Sequence, residues 1–451
     1  MSVATHHTHV PHTSQPPAFL ADLWDTEVLP LLPDELSLQA QHLGAFHRIR
    51  ELQTPLLLLR ALLAYVLVVD SFRALGAWAV LLGLADISDT AWRKRLRKAN
   101  AWLFWLLAEL LAAPPPPRPL VLPHPRRVLL VDATRLKHRG GTGDDWRVHV
   151  AYDLTAGRLA QVTVSDRHGG EHIDHFVLQA GDIIVADAGY GYRRTVLRAQ
   201  QQQADVVVRI TPATCPLVSP TGAPLDVLRW VRCAGPSVRG WSGECQWQGQ
   251  SAAVRLVAAK LSMAAARAAR RRVRRNAEAH GRKARPETVE VAGWLFVLTT
   301  LDGEVWSDEE VLALYRARWQ VELVFKRLKQ VLQAHTVRAT TAATAEPTVR
   351  LLLIAWVLQE EEAAAVRAEL GKAGAKTEAE VSSWLLTKVS MGLVRQQVGG
   401  QWSRARVQAC LAQLVRYVCL SPRRRVHQET AVRAWLSKQL AAPDVARLKA
   451  A

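Results

Sequence analysis

Two short runs, Arg127-Val-Leu-Leu-Val-Asp132 and Asp182-Ile-Ile-Val-Ala-Asp187, constrain the fold more than any other feature of the chain. Each is nearly all apolar over four residues, the pattern of a strand buried on both faces. Between and after them, Trp146–Tyr152 and Arg158–Val164 read as strands joined by the turn residues Asp153–Gly157. A short helix is expected around Ile173–Gln179 and another around Arg194–Gln203, with Asp205–Ile210 as a further buried strand. Strand, hairpin, helix, strand, helix, strand describes a mixed sheet flanked by helices, an α/β architecture. Both apolar runs end in an aspartate, where the sheet is expected to hand over to a loop. An unpaired buried carboxylate is costly there, so a metal ion or a strong partner is implied for Asp132 and Asp187. Polar turn positions account for Asp145, Asp153 and Asp166 without any chemistry. Asp182 opens its strand and is expected to face solvent.

The flanks differ in character. With 451 residues, 49% of them hydrophobic, the chain can bury a real core and is not a disordered protein. A formal charge of +18 points to a polyanionic partner. Membrane spanning is not expected, because the most apolar runs, Ala61–Val69 and Leu351–Leu358, are short and bounded by Arg60, Asp70 and Arg350. Met1–Pro17 has no apolar core of signal-peptide type, and a cytoplasmic protein is expected. The five cysteines include no C-x-x-C pair, so neither a disulfide framework nor a zinc ribbon is supported. His6, His7, His9 and His12 fit a polar tail, and His168, His172 and His175 a Gly-containing loop.

The expected organisation is a disordered tail (1–17), a helical DNA-binding region (18–113) and a Pro-rich linker (114–126). A first core segment (127–210), a β insertion with a basic segment (211–286), a second core segment (287–342) and a helical C-terminal region (343–451) follow. Ser88 caps a helix start, and Arg93, Lys94, Arg95, Arg97 and Lys98 follow within six residues, as donors and a basic flank suited to DNA phosphates. The insertion is read as short β pieces at Leu228–Val231, Glu244–Trp247 and Ala252–Val257. After them an arginine-rich stretch from Ala264 to Arg285 includes Arg271 and Arg274. Such a block is either a solvated face or a phosphate contact. Thr288–Leu301 is expected to return as a strand.

After that strand, Ser307 and Glu310 form a capping-box start, with helical periodicity to about Leu332. At about 100° per residue Tyr315, Arg318, Glu322 and Lys329 share one stripe of that helix, with Lys326 beside Glu322. A carboxylate for a metal ion, flanked by cations and a hydroxyl for phosphates, suits phosphodiester cleavage. A solvated helix with i±4 ion pairs would show the same residues.

Together these motifs resemble the DDE transposases of bacterial insertion sequences, in the group with a Y-x2-R-x3-E-x6-K signature. Tyr315, Arg318, Glu322 and Lys329 match all four positions, while Val-Asp132-Ala-Thr and Val-Ala-Asp187-Ala-Gly-Tyr-Gly look like the two Asp motifs. The resemblance covers roughly residues 127–335. It implies an RNase H-like catalytic core, cleavage at transposon ends and strand transfer into target DNA. Asp132, Asp187 and Glu322 would hold two Mg²⁺ or Mn²⁺ ions; Tyr315, Arg318 and Lys329 would hold phosphates. It further implies double-stranded DNA as partner, a homodimer in the synaptic complex, and a nucleoid-associated bacterial setting. An insertion tryptophan that stacks on an unpaired base is part of that picture, with Trp230, Trp241 and Trp247 as candidates, although a buried tryptophan in a small β core accounts better for any one of them. Cutting without strand transfer, or a non-catalytic DNA-binding relative, would share the core motifs.

Overall fold

The computed structural model describes residues 22–112, 126–138, 146–233, 235–331, 336–339, 341–372 and 382–418. The expected tail, nearly all of the linker, Asp145, Cys419 and the last expected helix, Ala431–Lys449, lie outside these residues.

The chain divides into two compact units, one comprising Met1–Leu29, Glu35–Ala99 and Arg395–Ala451, the other Pro30–Asp34 and Asn100–Val394. The first unit is helical: α1 (Leu36–His42), α2 (Pro55–Leu67), α3 (Phe72–Leu81) and α4 (Asp89–Lys98). Thr54, Ser71 and Ser88 each cap a helix by accepting a backbone N–H three residues on. The apolar α2 lies at the centre, and its buried Arg60 is satisfied by Asp22, the Val398 carbonyl (3.1 Å) and the Trp24 ring. Trp78 donates to the Gly399 carbonyl, tying the C-terminal segment to the same core. On α4, Trp92 and Leu96 face inward while Arg93, Lys94, Arg97 and Lys98 are exposed and Arg95 is half-buried.

The second unit opens with α5 (Asn100–Ala112) and builds one sheet. Its strands are β1 (Val128–His138), β2 (Trp146–Asp153), β3 (Arg158–Asp166), β4 (Ile183–Ala186), β5 (Asp205–Arg209), β6 (Val238–Trp247), β7 (Gln250–Lys260) and β8 (Trp294–Thr299), with β9 (Thr336–Val337) beside β1. They run in the order β3-β2-β1-β4-β5-β8-β7-β6. The β1–β4 and β4–β5 pairs are parallel, and the remaining neighbours on that path are antiparallel. The two all-apolar runs occupy adjacent central strands, and α6 (Arg193–Gln201) contributes Val196, Leu197 and Ala199 to the core on one face. This is the expected mixed α/β sheet flanked by helices, and it accords with an RNase H-like core.

Several local readings are corrected. Ile173–Gln179 is not a helix but a single 3₁₀ turn at Ile173–His175. Leu228–Val231 lies in a helix, α7 (Val227–Arg232), capped by the Asp226 side chain. The expected strands at Glu244–Trp247 and Ala252–Val257 do form, as parts of β6 and β7, and β7 pairs with β8 so that the hairpin extends the core sheet. The arginine-rich stretch is a helix, α8 (Met263–Ala279), and Thr288 lies in α9 (Pro286–Val291) ahead of β8. Asp182 is buried rather than solvated, because Arg127 neutralises it with two hydrogen bonds of 2.8 and 2.6 Å. Asp153 and Asp166 behave as turn residues, each accepting backbone N–H groups of its own turn.

Candidate active site

Strand register brings the two candidate aspartates together. β1 and β4 are parallel, with Val128 opposite Ile183, Leu129 opposite Ile184 and Leu130 opposite Val185. Carried two residues past the last pair, the same offset puts Asp187 in line with Asp132, and the two carboxylates are near enough for Asp187 to raise Asp132. Asp187 follows the last residue of β4, as expected, but Asp132 does not end its strand. β1 runs on to His138 because β2 continues to pair with it, Asp132 facing Val150. What ends near Asp132 is the pairing with β4, and that opens room beside the carboxylate.

Backbone donors fix both side chains. Asp132 Oδ1 accepts the Ala133 N–H at 2.7 Å, and Asp187 Oδ1 accepts the Gly189 N–H at 2.8 Å. Gly189 admits a third carboxylate: a Cβ there would collide with Glu171 and lie 3.0 Å from Asp187 Oδ1. Glu171 was not among the sequence candidates; only its place in the Gly-Gly-Glu-His loop could have drawn attention to it. Burial and then Asp187 push the Asp132 carboxyl up to about 7, against the Ala133 N–H and Arg318. Burial and Asp187 also raise Glu171. Tyr190 is fully buried, and its hydroxyl has no hydrogen-bond partner among the described residues. Burial, then Asp132, Glu171 and Asp187, hold that phenol well above its ordinary value.

The expected single helix after Ser307 is two helices. α10 (Asp308–Ala317) opens with the capping box and α11 (Trp319–Val331) follows, broken at Arg318 by i→i−3 bonds from Arg318 N to Tyr315 O and from Val321 N to Arg318 O. That tightened turn is the element that positions Arg318. Its guanidinium lies between two candidate carboxylates, with Nη1 3.4 Å from Asp132 Oδ2 and Nη2 2.5 Å from Glu322 Oε1. The Tyr315 ring lies under the same group, 6.0 Å from centroid to Cζ. Lys329 is half-buried on α11, and the Lys326 ammonium stands over the Trp384 ring.

The acidic pair suits a hard divalent cation, being made of oxygen donors in a partly dry site with an excess of negative charge. Glu322 is held one guanidinium away from Asp132. Among the described residues, accordingly, no three His, Cys, Asp or Glu side chains converge closely enough to hold a metal ion.

The remaining candidates lie elsewhere. Arg271 and Arg274 are exposed on α8, whose single buried residue is Ala266, and Arg93, Lys94, Arg95 and Arg97 are on α4 of the helical unit. Trp230, Trp241 and Trp247 are each partly buried against the sheet core. Cys215 and Cys245, distant in sequence, are both buried free cysteines. The ring of His149 stacks on that of His175 at 3.7 Å.

Comparison with known proteins supplies an independent line. Residues 123–358, more than half of the chain, match the family model described as "Transposase DDE domain". The chain is 33% identical over 339 residues to InsL of insertion sequence element IS186A from Escherichia coli strain K12, covering 73% of this chain and 90% of that protein. It is similarly 33% identical over 340 residues to the transposase of insertion sequence element IS421 from Escherichia coli, with the same shares covered.

Proposed function

This chain belongs to the DDE transposase family of bacterial insertion sequences, enzymes that act on DNA, and from that premise we propose how its residues do so. It cleaves the ends of its own element and joins them to target DNA, with Asp132, Asp187 and Glu322 as the catalytic carboxylates. The observation that carries this reading is the parallel register that sets Asp132 beside Asp187, with Arg318 linking Asp132 to Glu322.

The family generally uses divalent metal ions. In our reading Asp132, Asp187 and Glu322, which are not gathered into one cluster in this structure, would close around two Mg²⁺ or Mn²⁺ ions, and those ions would supply Lewis-acid activation of a hydroxyl and stabilisation of a leaving oxygen. Arg318 presents a planar fork to phosphate oxygens, and its two carboxylate partners keep that fork aimed at the site. Tyr315 supports the guanidinium from below, while Lys329 and Lys326 extend the cationic track along α11. The backbone donors at Ala133 and Gly189 keep the carboxylates from rotating away. Cations on α4 and α8 (Arg93, Lys94, Arg97, Arg271 and Arg274, which are exposed, and the half-buried Arg95) hold flanking duplex, and two copies of the chain pair two ends. No helix among the described residues is long and apolar enough to cross a membrane, which fits work on DNA in the bacterial cytoplasm, at the nucleoid.

The test is cleavage and joining of linear DNA that carries the element's ends. Asp132→Asn, Asp187→Asn and Glu322→Gln should each abolish both steps and leave binding of end DNA largely intact. Substantial metal-dependent cleavage by any one variant would remove that residue from the triad.

A further inference from the structure

Beside the acidic pair lies a cleft of about 580 Å³ whose charge is not explained by packing. Four guanidiniums line it, from Arg135, Arg147, Arg193 and Arg194, against the carboxylates of Glu171 and Asp174. Their placement breaks two local rules at once. Arg135 and Arg147 are direct register partners on β1 and β2, and like charges opposite each other destabilise a strand pair. Arg193 and Arg194 are the first two residues of α6, where the helix dipole disfavours cations. Each wall carboxylate faces an arginine of the wall, and Arg135 has partners of its own. Arg147 has Glu171 at 3.8 Å, Arg194 pairs with Asp174, and Arg193 donates to the Gln246 carbonyl at 3.0 Å. Arg147 and Arg194 are thus met by carboxylates, whereas Arg193 is held on a neutral carbonyl. Departures of this kind gather where a ligand compensates them.

The ligand that fits is an anion repeated along a chain. A volume in this range holds a small ligand, on the order of one or two nucleotides, and excludes a duplex. Glu171 and Gly189 line the cleft, and both lie against Asp187, so the cleft is next to the acidic pair. We propose that this cleft seats the sugar–phosphate backbone of one strand of the substrate DNA, on the Glu171 side of the phosphodiester being cut. The proposal rests on the reading of the chain as a DNA-cleaving enzyme. It adds a strand-binding subsite distinct from the α10–α11 stripe and from the basic faces of α4 and α8.

The experiment uses the full chain and a six-nucleotide oligodeoxythymidylate, with affinity measured over a range of salt. Neutralising the cleft by Arg193→Gln together with Arg194→Gln should weaken oligonucleotide binding about tenfold. It should also make the salt slope shallower by about 1.4, at about 0.7 for each single-strand phosphate released. Arg193→Lys with Arg194→Lys should keep most of the affinity, since charge is retained and the α6 fold is undisturbed. Arg135→Gln, on a different element, should weaken binding in the same direction. Unchanged affinity and slope in the neutral double variant would overturn the proposal. So would an equal loss in the lysine variant, which would mark a structural role for the two arginines. Cleavage of end-bearing duplex is scored separately in the same preparations: its absence from the wild-type protein defeats the proposed function, whereas intact cleavage with unaltered oligonucleotide binding defeats only the cleft.

Discussion

Asp132 and Arg318 concentrate the chemistry of the site at the scale of single residues. Burial first, then the neighbouring Asp187, lifts the Asp132 carboxyl from its ordinary value of 3.8 to about 7. In metal-free protein the folded state therefore keeps a proton that the unfolded chain releases between about pH 4 and pH 7. Stability contributed by that group falls as pH rises through this window and is flat above it. Asp132→Asn should accordingly stabilise the metal-free protein at pH 8 and change it little at pH 4. A rise of that size, at ~1.4 kcal/mol per pH unit, sets a ceiling of about 4 kcal/mol. Thermal unfolding in chelator at the two pH values measures the difference, and an equal effect at both would sink the argument. Arg318 is the complementary case, because one guanidinium contacts two carboxylates. Removing it by Arg318→Ala should cut end cleavage at least 100-fold while Mn²⁺ binding, followed by titration calorimetry, stays near wild type or tightens. Arg318→Lys should recover only part of the activity, since an ammonium cannot supply the planar fork. Wild-type cleavage by the alanine variant would reduce Arg318 to an ordinary i,i+4 ion pair.

At the scale of elements, what the sequence made legible and what it hid divide by the range of the interaction involved. The buried strands β1, β4 and β5 could be read because a short, unbroken apolar run suits a strand covered on both faces and little else. The capping box at Ser307 could be read because its partners are three residues apart. The break at Arg318 could not, since periodicity on either side survives a single tightened turn, and the Arg318 contact with Asp132 joins segments far apart in sequence. Leu228–Val231 looked like strand because its residues favour either state; the Asp226 cap decided for helix. The β6–β7 hairpin was legible as β structure, but its attachment to β8 depends on pairing between segments far apart in sequence. Within the site the three proposed catalytic carboxylates, Asp132, Asp187 and Glu322, were legible as motifs. Glu171 was not, for its place in a Gly-Gly-Glu-His loop is a weak signal and the absence of a Cβ at Gly189, which admits it, matters only in space. Asp182 was misread as solvated because its neutralising partner, Arg127, belongs to a different strand edge.

At the scale of the whole molecule, the net charge of +18 must be carried somewhere that tolerates it, and the two most basic helices show where. On α8, Arg267, Arg270, Arg271, Arg272, Arg274 and Arg275 all lie on its solvent side or its margin, and on α4 Arg93, Lys94, Arg97 and Lys98 are exposed. If both faces contact duplex phosphates, each neutralised phosphate adds about 0.9 to the slope of log affinity against log salt. Changing Arg270, Arg271, Arg272, Arg274 and Arg275 to alanine should flatten that slope by up to about 4.5 at this increment, and changing the four exposed α4 cations by up to about 3.6. The two effects should add in the combined variant, because the faces belong to different compact units. Alanine is the best helix former and these positions carry little packing, so α8 should persist and the melting temperature should hold or rise. Loss of affinity without loss of helix would then be electrostatic in origin. A slope for end-bearing duplex that stays at the wild-type value after the α8 changes would mean that this face is merely solvated, leaving α4 and the cleft beside Asp187 to account for DNA binding.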